Sequence, residues 1–182
     1  MKRLLSVNIA AVVHEGEWTG SVGRTGIDKR PVEHRILVAN DHVEGDAVLD
    51  VKSHGGRDKA VYAYAREDGD WWENQLGIQI GNGRFGENLT TQGIELGQLP
   101  VGTTLRLGDD VIIALTGFRD PCSQIDKFQE GLRAAVSFKP EVGPQLFRNG
   151  VMSVVVRGGT VRVGDTIKVA LPAGPHQTMQ KV

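Results

Sequence analysis

The chain has 182 residues, 40% of them hydrophobic, with 21 basic and 22 acidic side chains for a formal net charge of −1. That length suits one domain with a substantial core, and without a sustained Lys/Arg block neither a nucleic-acid polymer nor a membrane surface is expected as partner. The single cysteine, Cys122, excludes an intrachain disulfide and any Cys-x-x-Cys redox or zinc site, and fits a reducing cytoplasm. No apolar run approaches a membrane span, and Met1–Asn8 lacks the apolar core and cleavage pattern of a signal peptide, so a soluble, cytoplasmic protein is expected. The 24 glycines are spread between short β-branched runs, which predicts many strands joined by tight turns.

Leu4–Val13 reads as a first strand and His14–Lys29 as a glycine-punctuated loop. Within that loop, Gly23–Lys29 places Arg24 and Lys29 beside flexible backbone; a solvated turn and a close approach to an anion are both consistent with it. Val32–Ala39 resembles a strand with Val32, His34, Ile36 and Val38 on one side, so His34 reads as a strand residue and not a ligand. Asp46–Val51 is a short β-like run entering Lys52–Lys59, where Gly55-Gly56 sits among His54, Arg57, Asp58 and Lys59. A charged surface turn explains that crowding, and so does recognition of a polar ligand through backbone N–H groups. Ala60–Ala65 then resumes a strand.

Arg66–Leu76 predicts a helix, with Asp68 or Asp70 at its N-cap, Trp71, Trp72 and Leu76 on the apolar side and Gly77 at its end. Packing is the reading for the tryptophan pair, with stacking on a heterocycle the minor one. Gly81–Thr91 lacks the Gly-Lys-Ser/Thr ending of a P-loop and the strand–glycine–helix setting of a dinucleotide fold. Its glycines serve turning, while Arg84, Glu87 and Asn88 offer polar contacts. Leu99–Thr103 turns into a strand at Thr104–Leu107, and Gly108–Asp110 connects to a buried strand at Val111–Leu115. Ile125–Ala135 carries helical spacing through Ile125, Phe128 and Leu132, and Pro144–Arg148 suits one more helical turn. Met152–Leu171, punctuated by Gly158-Gly159 and Gly164-Asp165, is read as two further strands. Pro172–Val182 reads as a mobile tail, leaving one domain over 1–171.

Pro121 ends the strand that precedes Cys122, so the thiol lies just past a strand end, where a rigid scaffold presents side chains to ligands. Arg119 and Lys127 flank it, and nearby cations favour the thiolate that attacks electrophiles or binds soft metals. A lone cysteine is more often a small, inert interior hydrophobe. Both readings stand on the local residues.

Three stretches in order, His54–Tyr64, Gly83–Leu89 and Asp120-Pro121-Cys122, together resemble a MOSC domain of the bacterial YiiM-like group, from the first strand through Leu171. The resemblance implies a mainly β fold (mixed β/α): a distorted β-barrel with small peripheral helices. It implies a molybdenum cofactor whose sulfur coordination Cys122 completes as metal ligand. His54 and Asp58 become candidates to orient substrate or deliver a proton. Lys59, Arg24, Arg84, Asn88 and Arg119 become candidate cofactor contacts, and Lys29 is a weaker one. The implied activity is reduction of N-hydroxylated compounds such as hydroxylaminopurines and amidoximes. Electrons would come from a separate flavoprotein reductase, since the chain carries no flavin or nicotinamide motif and too few cysteines for an iron–sulfur cluster; haem is not expected either. A homodimer is compatible with this picture. The rival reading is a sulfur carrier, or a protein that binds and delivers the cofactor, using a persulfide on Cys122.

Overall fold

The computed structural model describes residues 1–10, 27, 29–46, 55–136 and 147–182. Its strands are β1 (Arg3–Ile9), β2 (Arg30–Val32), β3 (His34–Leu37), β4 (Val61–Ala65), β5 (Leu89–Gln92), β6 (Thr104–Leu107), β7 (Val111–Phe118), β8 (Val151–Arg157), β9 (Gly159–Arg162) and β10 (Ile167–Ala170). The helices are α1 (Arg66–Leu76), α2 (Ile125–Phe128) and α3 (Leu132–Val136). The fold is thus mainly β with a few small helices, as the resemblance implies.

Among the described residues eight strands form one sheet in the order β10-β6-β7-β8-β4-β5-β1-β2, and β3 pairs with β9 in a second, two-stranded sheet. β4 and β5 run parallel; the other pairs are antiparallel. The large sheet curls until β1 meets the chain entering β10. Leu4 N donates to Asp165 O (2.8 Å), Gly164 N to Leu4 O (2.9 Å) and Ile167 N to Lys2 O (2.9 Å), around an Arg3–Thr166 bridge. Among the described residues the distorted barrel is therefore a curled sheet joined by a short seam.

All of β4 is buried, because both faces of the strand are covered. Val61, Ala63 and Ala65 point into the larger core with Leu4, Leu89, Ile113 and Val155. Tyr62 and Tyr64 point the other way, into a second core with Trp72, Phe85, Ile125 and Leu132. The period-two alternation of a strand makes this division, and each fully buried large apolar side chain stabilises the fold by about 1.5–3 kcal/mol.

Several local expectations are corrected. The strand expected over Val32–Ala39 breaks at Glu33, sending β2 and β3 to different sheets, and His34 and Ile36 are exposed while Leu37 is buried. The α1 N-cap is Ala65, not Asp68 or Asp70, because β4 runs into the helix without a loop; Gly77 does end it, at φ 66°. Trp72 is buried as packing requires, whereas Trp71 is 38% exposed. The helical run expected over Ile125–Ala135 splits into α2 and α3 around Gly131 (φ 78°). The two strands read from Met152–Leu171 are three. Residues 172–182 are docked and not a free tail, with Met179 only 2% exposed inside the larger core. The run at Asp46–Val51 and the turn at Pro144–Arg148 lie largely outside the described residues.

Candidate functional site

β7 ends at Phe118 and the chain then turns through Arg119, Asp120 and a buried Pro121 to a half-buried Cys122. Arg119 organises this turn. Its backbone N–H donates to Gly150 O (3.2 Å), one Nη to Asp120 O (3.1 Å), and the other approaches Cys122 Sγ at 3.8 Å. The guanidinium lies 5.2 Å from the centre of the Tyr62 ring, a cation–π distance. The Tyr62 hydroxyl in turn donates to Asn149 O (2.8 Å), and Asn149 Nδ2 donates to Arg119 O (3.0 Å). These contacts close a ring that holds a fixed positive charge against the sulfur, where a thiolate would carry its negative charge. Asn149 Oδ1 is buried with no donor among the described residues. Burial raises the Tyr62 hydroxyl well above its ordinary pKa, keeping it a neutral donor.

The Gly83–Asn88 loop meets the same tyrosine from the parallel neighbour, β5. Asn88 N donates to Tyr62 O (2.9 Å), and Tyr62 N donates back to Asn88 Oδ1 (3.1 Å). Asn88 Nδ2 reaches Asp46 Oδ2 (2.7 Å), which also holds Lys29 Nζ (2.5 Å). Glu87 accepts from Gly83 N (2.6 Å), Phe85 N (3.2 Å) and the Thr90 hydroxyl (2.9 Å). Gly83 has φ 84°, and a Cβ there would collide with the carbonyl oxygen of Lys29, so no other residue fits. Burial raises the Glu87 pKa, and hydrogen bonds from Gly83, its own amide and Thr90 offset part of that rise. Burial likewise pushes Lys29 down, against the pull of Asp46. Glu87 and Asn88 therefore serve as buried scaffold, with their polar groups turned towards their own loop and its neighbours.

The other sequence-named residues are spread around this core. Asp58 is exposed on a single 3-10 turn (Arg57–Lys59), and its carbonyl accepts the Thr116 hydroxyl of β7 (2.6 Å). Lys59 on the same turn and Arg84 on the glycine loop are half-buried. His54 and Arg24 lie outside the described residues. Arg119 and Cys122 are thus in direct contact, and Asn88 joins them through Tyr62. Tyr62 and Asn149 were not singled out by sequence, although Tyr62 falls inside the first motif; their roles depend on partners distant along the chain. Among the described residues, no group of three or more His, Cys, Asp or Glu side chains could hold a metal ion.

A half-exposed soft ligand with a guanidinium at its sulfur, at the end of a rigid strand, can hold a thiophilic metal or carry sulfur. The MOSC domain family model matches residues 50–168. The chain belongs to the MOSC domain family. YiiM of Geobacillus stearothermophilus superposes with a TM-score of 0.68 at 25% identity, over 93% of this MOSC chain and 75% of that one. YiiM of Escherichia coli superposes with a TM-score of 0.64 at 20% identity. Among relatives in sequence, YflK of Bacillus subtilis is 36% identical over 61% of this chain and 50% of its own length, and Escherichia coli YiiM is 30% identical over 56% and 46%. The MOSC chain thus spans about half the length of these relatives. It is YiiM-like in family and fold. Among its described residues no helix is long and apolar enough to cross a membrane.

Proposed function

We propose that this MOSC protein is a molybdenum-cofactor-dependent reductase of N-hydroxylated compounds, of the hydroxylaminopurine or amidoxime kind, located in the cytoplasm. The observation that carries the reading is Cys122 Sγ, half-buried at the end of β7 with an Arg119 Nη at 3.8 Å. The residues fit the cofactor in chemical kind: a thiolate is a soft metal ligand, and Arg119 stands beside the sulfur to balance its charge. A fungal relative from Gibberella moniliformis, 28% identical over 64% of this chain and 20% of its own length, bears the name Reductase, which supports oxidoreductase chemistry.

In this reading Cys122 is the protein ligand to the metal, and Arg119 balances its charge. Lys59, Arg24 and Arg84 contact the anionic part of the cofactor. Asn88 acts from beneath, by fixing the Tyr62 backbone. When bound, the cofactor supplies the two-electron chemistry that cleaves an N–O bond. Overall, N–OH becomes N–H with uptake of two electrons and two protons and release of water. A separate flavoprotein reductase provides the electrons, and His54 or Asp58 orients the substrate or delivers a proton. The Arg119–Cys122 contact would equally suit a persulfide anion, so sulfur carriage or cofactor delivery is the second reading.

The test is molybdenum and pterin content of protein purified anaerobically from a cofactor-producing host, wild type against Cys122→Ala. Near-stoichiometric metal in the wild type, lost in the variant together with reduction of benzamidoxime, is the expected result. Equal content in both would overturn Cys122 as the metal ligand. Cyanide-releasable sulfur on a metal-free wild type would favour the carrier.

A further inference from the structure

The docked C-terminal segment points to a positioning role at Cys122. Among the described residues β6 pairs with β7 from Val111 to Ala114, and the edge contacts from that side end at Leu115, whose N–H donates to Thr103 O (2.9 Å) and whose carbonyl accepts from Gly102 N (2.8 Å). Beyond it the edge of β7 would be left open just before Arg119. The chain from Gln177 to Val182 takes the vacated place. Val101 N donates to Gln177 O (3.0 Å), Met179 is buried in the larger core, Phe118 N donates to Gln180 O (2.8 Å), and Val182 N donates to Phe118 O (3.1 Å). Lys181 Nζ then reaches Asp120 Oδ1 at 3.1 Å, inside the turn itself. Gly117 makes the slot: a Cβ there would collide with the Gln180 carbonyl and with Val182.

We infer that residues 177–182 form a strap that positions the Arg119–Cys122 turn, with Met179 as its anchor and Lys181 as its contact with the turn. Phe118 is held on both edges, by β8 through Val151 and by the strap, so Arg119 leaves the sheet in one direction. That direction is what places its guanidinium over Tyr62 and against the sulfur. The importance of the strap rests on the reading of Cys122 as the working thiol, but its existence as a positioning element does not.

The experiment is hydrogen exchange on the 182-residue chain, comparing segments 177–182, 119–126 and 61–65. Lys181→Glu replaces an exposed attraction by a repulsion, a change of about 1 kcal/mol, so exchange over 119–126 should quicken about fivefold. Segment 61–65, in the sheet centre, should stay unchanged, and Lys181→Arg should keep the wild-type rate. Met179→Ala lifts the strap from its other end and should produce the same pattern more strongly. A strap that exchanges faster while 119–126 does not would overturn the inference, as would a strap that neither variant loosens. Metal content plays no part in these readings, so failure of the proposed chemistry and failure of the strap are seen separately.

Discussion

Tyr62 stands between two turns built on opposite terms. The Gly83–Asn88 loop binds the tyrosine backbone and directs its polar groups inward: Glu87 accepts from two amides and a hydroxyl, and Asn88 is engaged at both ends of its amide. The Arg119–Cys122 turn takes the ring and hydroxyl of the same residue, yet leaves a sulfur half-exposed and the nearby Asn149 Oδ1 without a donor among the described residues. Both turns lie in stretches that carry the sequence resemblance, and the buried Glu87 and Asn88 side chains of the first serve its backbone. A polar group that is fully engaged fixes the backbone; one left partly open is available for chemistry.

Substitutions should separate the two regions. Glu87→Ala leaves the Gly83 and Phe85 amides and the Thr90 hydroxyl without their acceptor, at about 1–3 kcal/mol for each buried group left unpaired. A loss on the order of 4 kcal/mol, read as a thermal midpoint lowered by roughly 10 °C, is the largest stability effect expected. An unchanged midpoint would remove Glu87 from the scaffold.

Next comes Asp68, which burial raises from 3.8 to about 6 despite its bond to Arg148 (2.6 Å). A folded state that holds its proton more tightly than the unfolded chain is stabilised when that proton is bound. The contribution is therefore full below about pH 4 and is lost as pH rises through about 6, by about 3 kcal/mol. Buried Glu87 acts with the same sign. In denaturant unfolding between pH 4 and 7, the stability of the wild type should fall relative to that of Asp68→Asn as pH rises; parallel profiles would deny Asp68 the role.

Arg119→Ala should have the smallest effect on stability, about 1 kcal/mol from the lost cation–π contact and hydrogen bonds; on the proposed reading of Cys122 as metal ligand it should nevertheless lower metal retention clearly. A large unfolding effect with intact metal content would invert the contrast between the two turns.

What could be read from the residues alone follows the range of the forces involved. The end of β7 before Pro121, the hairpin at Gly108–Asp110 and the stop at Gly77 are local, and the sequence places them correctly. Cys122 is placed past a strand end for the same reason. Asp68 misleads as an N-cap because its actual partner is Arg148, eighty positions away, whose guanidinium also lies 4.9 Å from the Trp71 ring centre. Residues 172–182 look unstructured because their slot is made by Gly117 and the short reach of β6. Nothing local marks the roles of Tyr62, although it lies in the first motif, or of Asn149; the packing of β8 beside β4 brings them together.

The seam between Lys2–Leu4 and Gly164–Ile167 also governs how the protein is made. On the ribosome, the first strand is synthesised early but cannot complete that edge until Thr166 has cleared the exit tunnel. Contacts so far apart along the chain make closure slow, and an open strand edge invites pairing with other nascent chains. Yield of soluble protein should therefore depend on the pace of synthesis, with slower translation at lower temperature favouring intramolecular closure over aggregation.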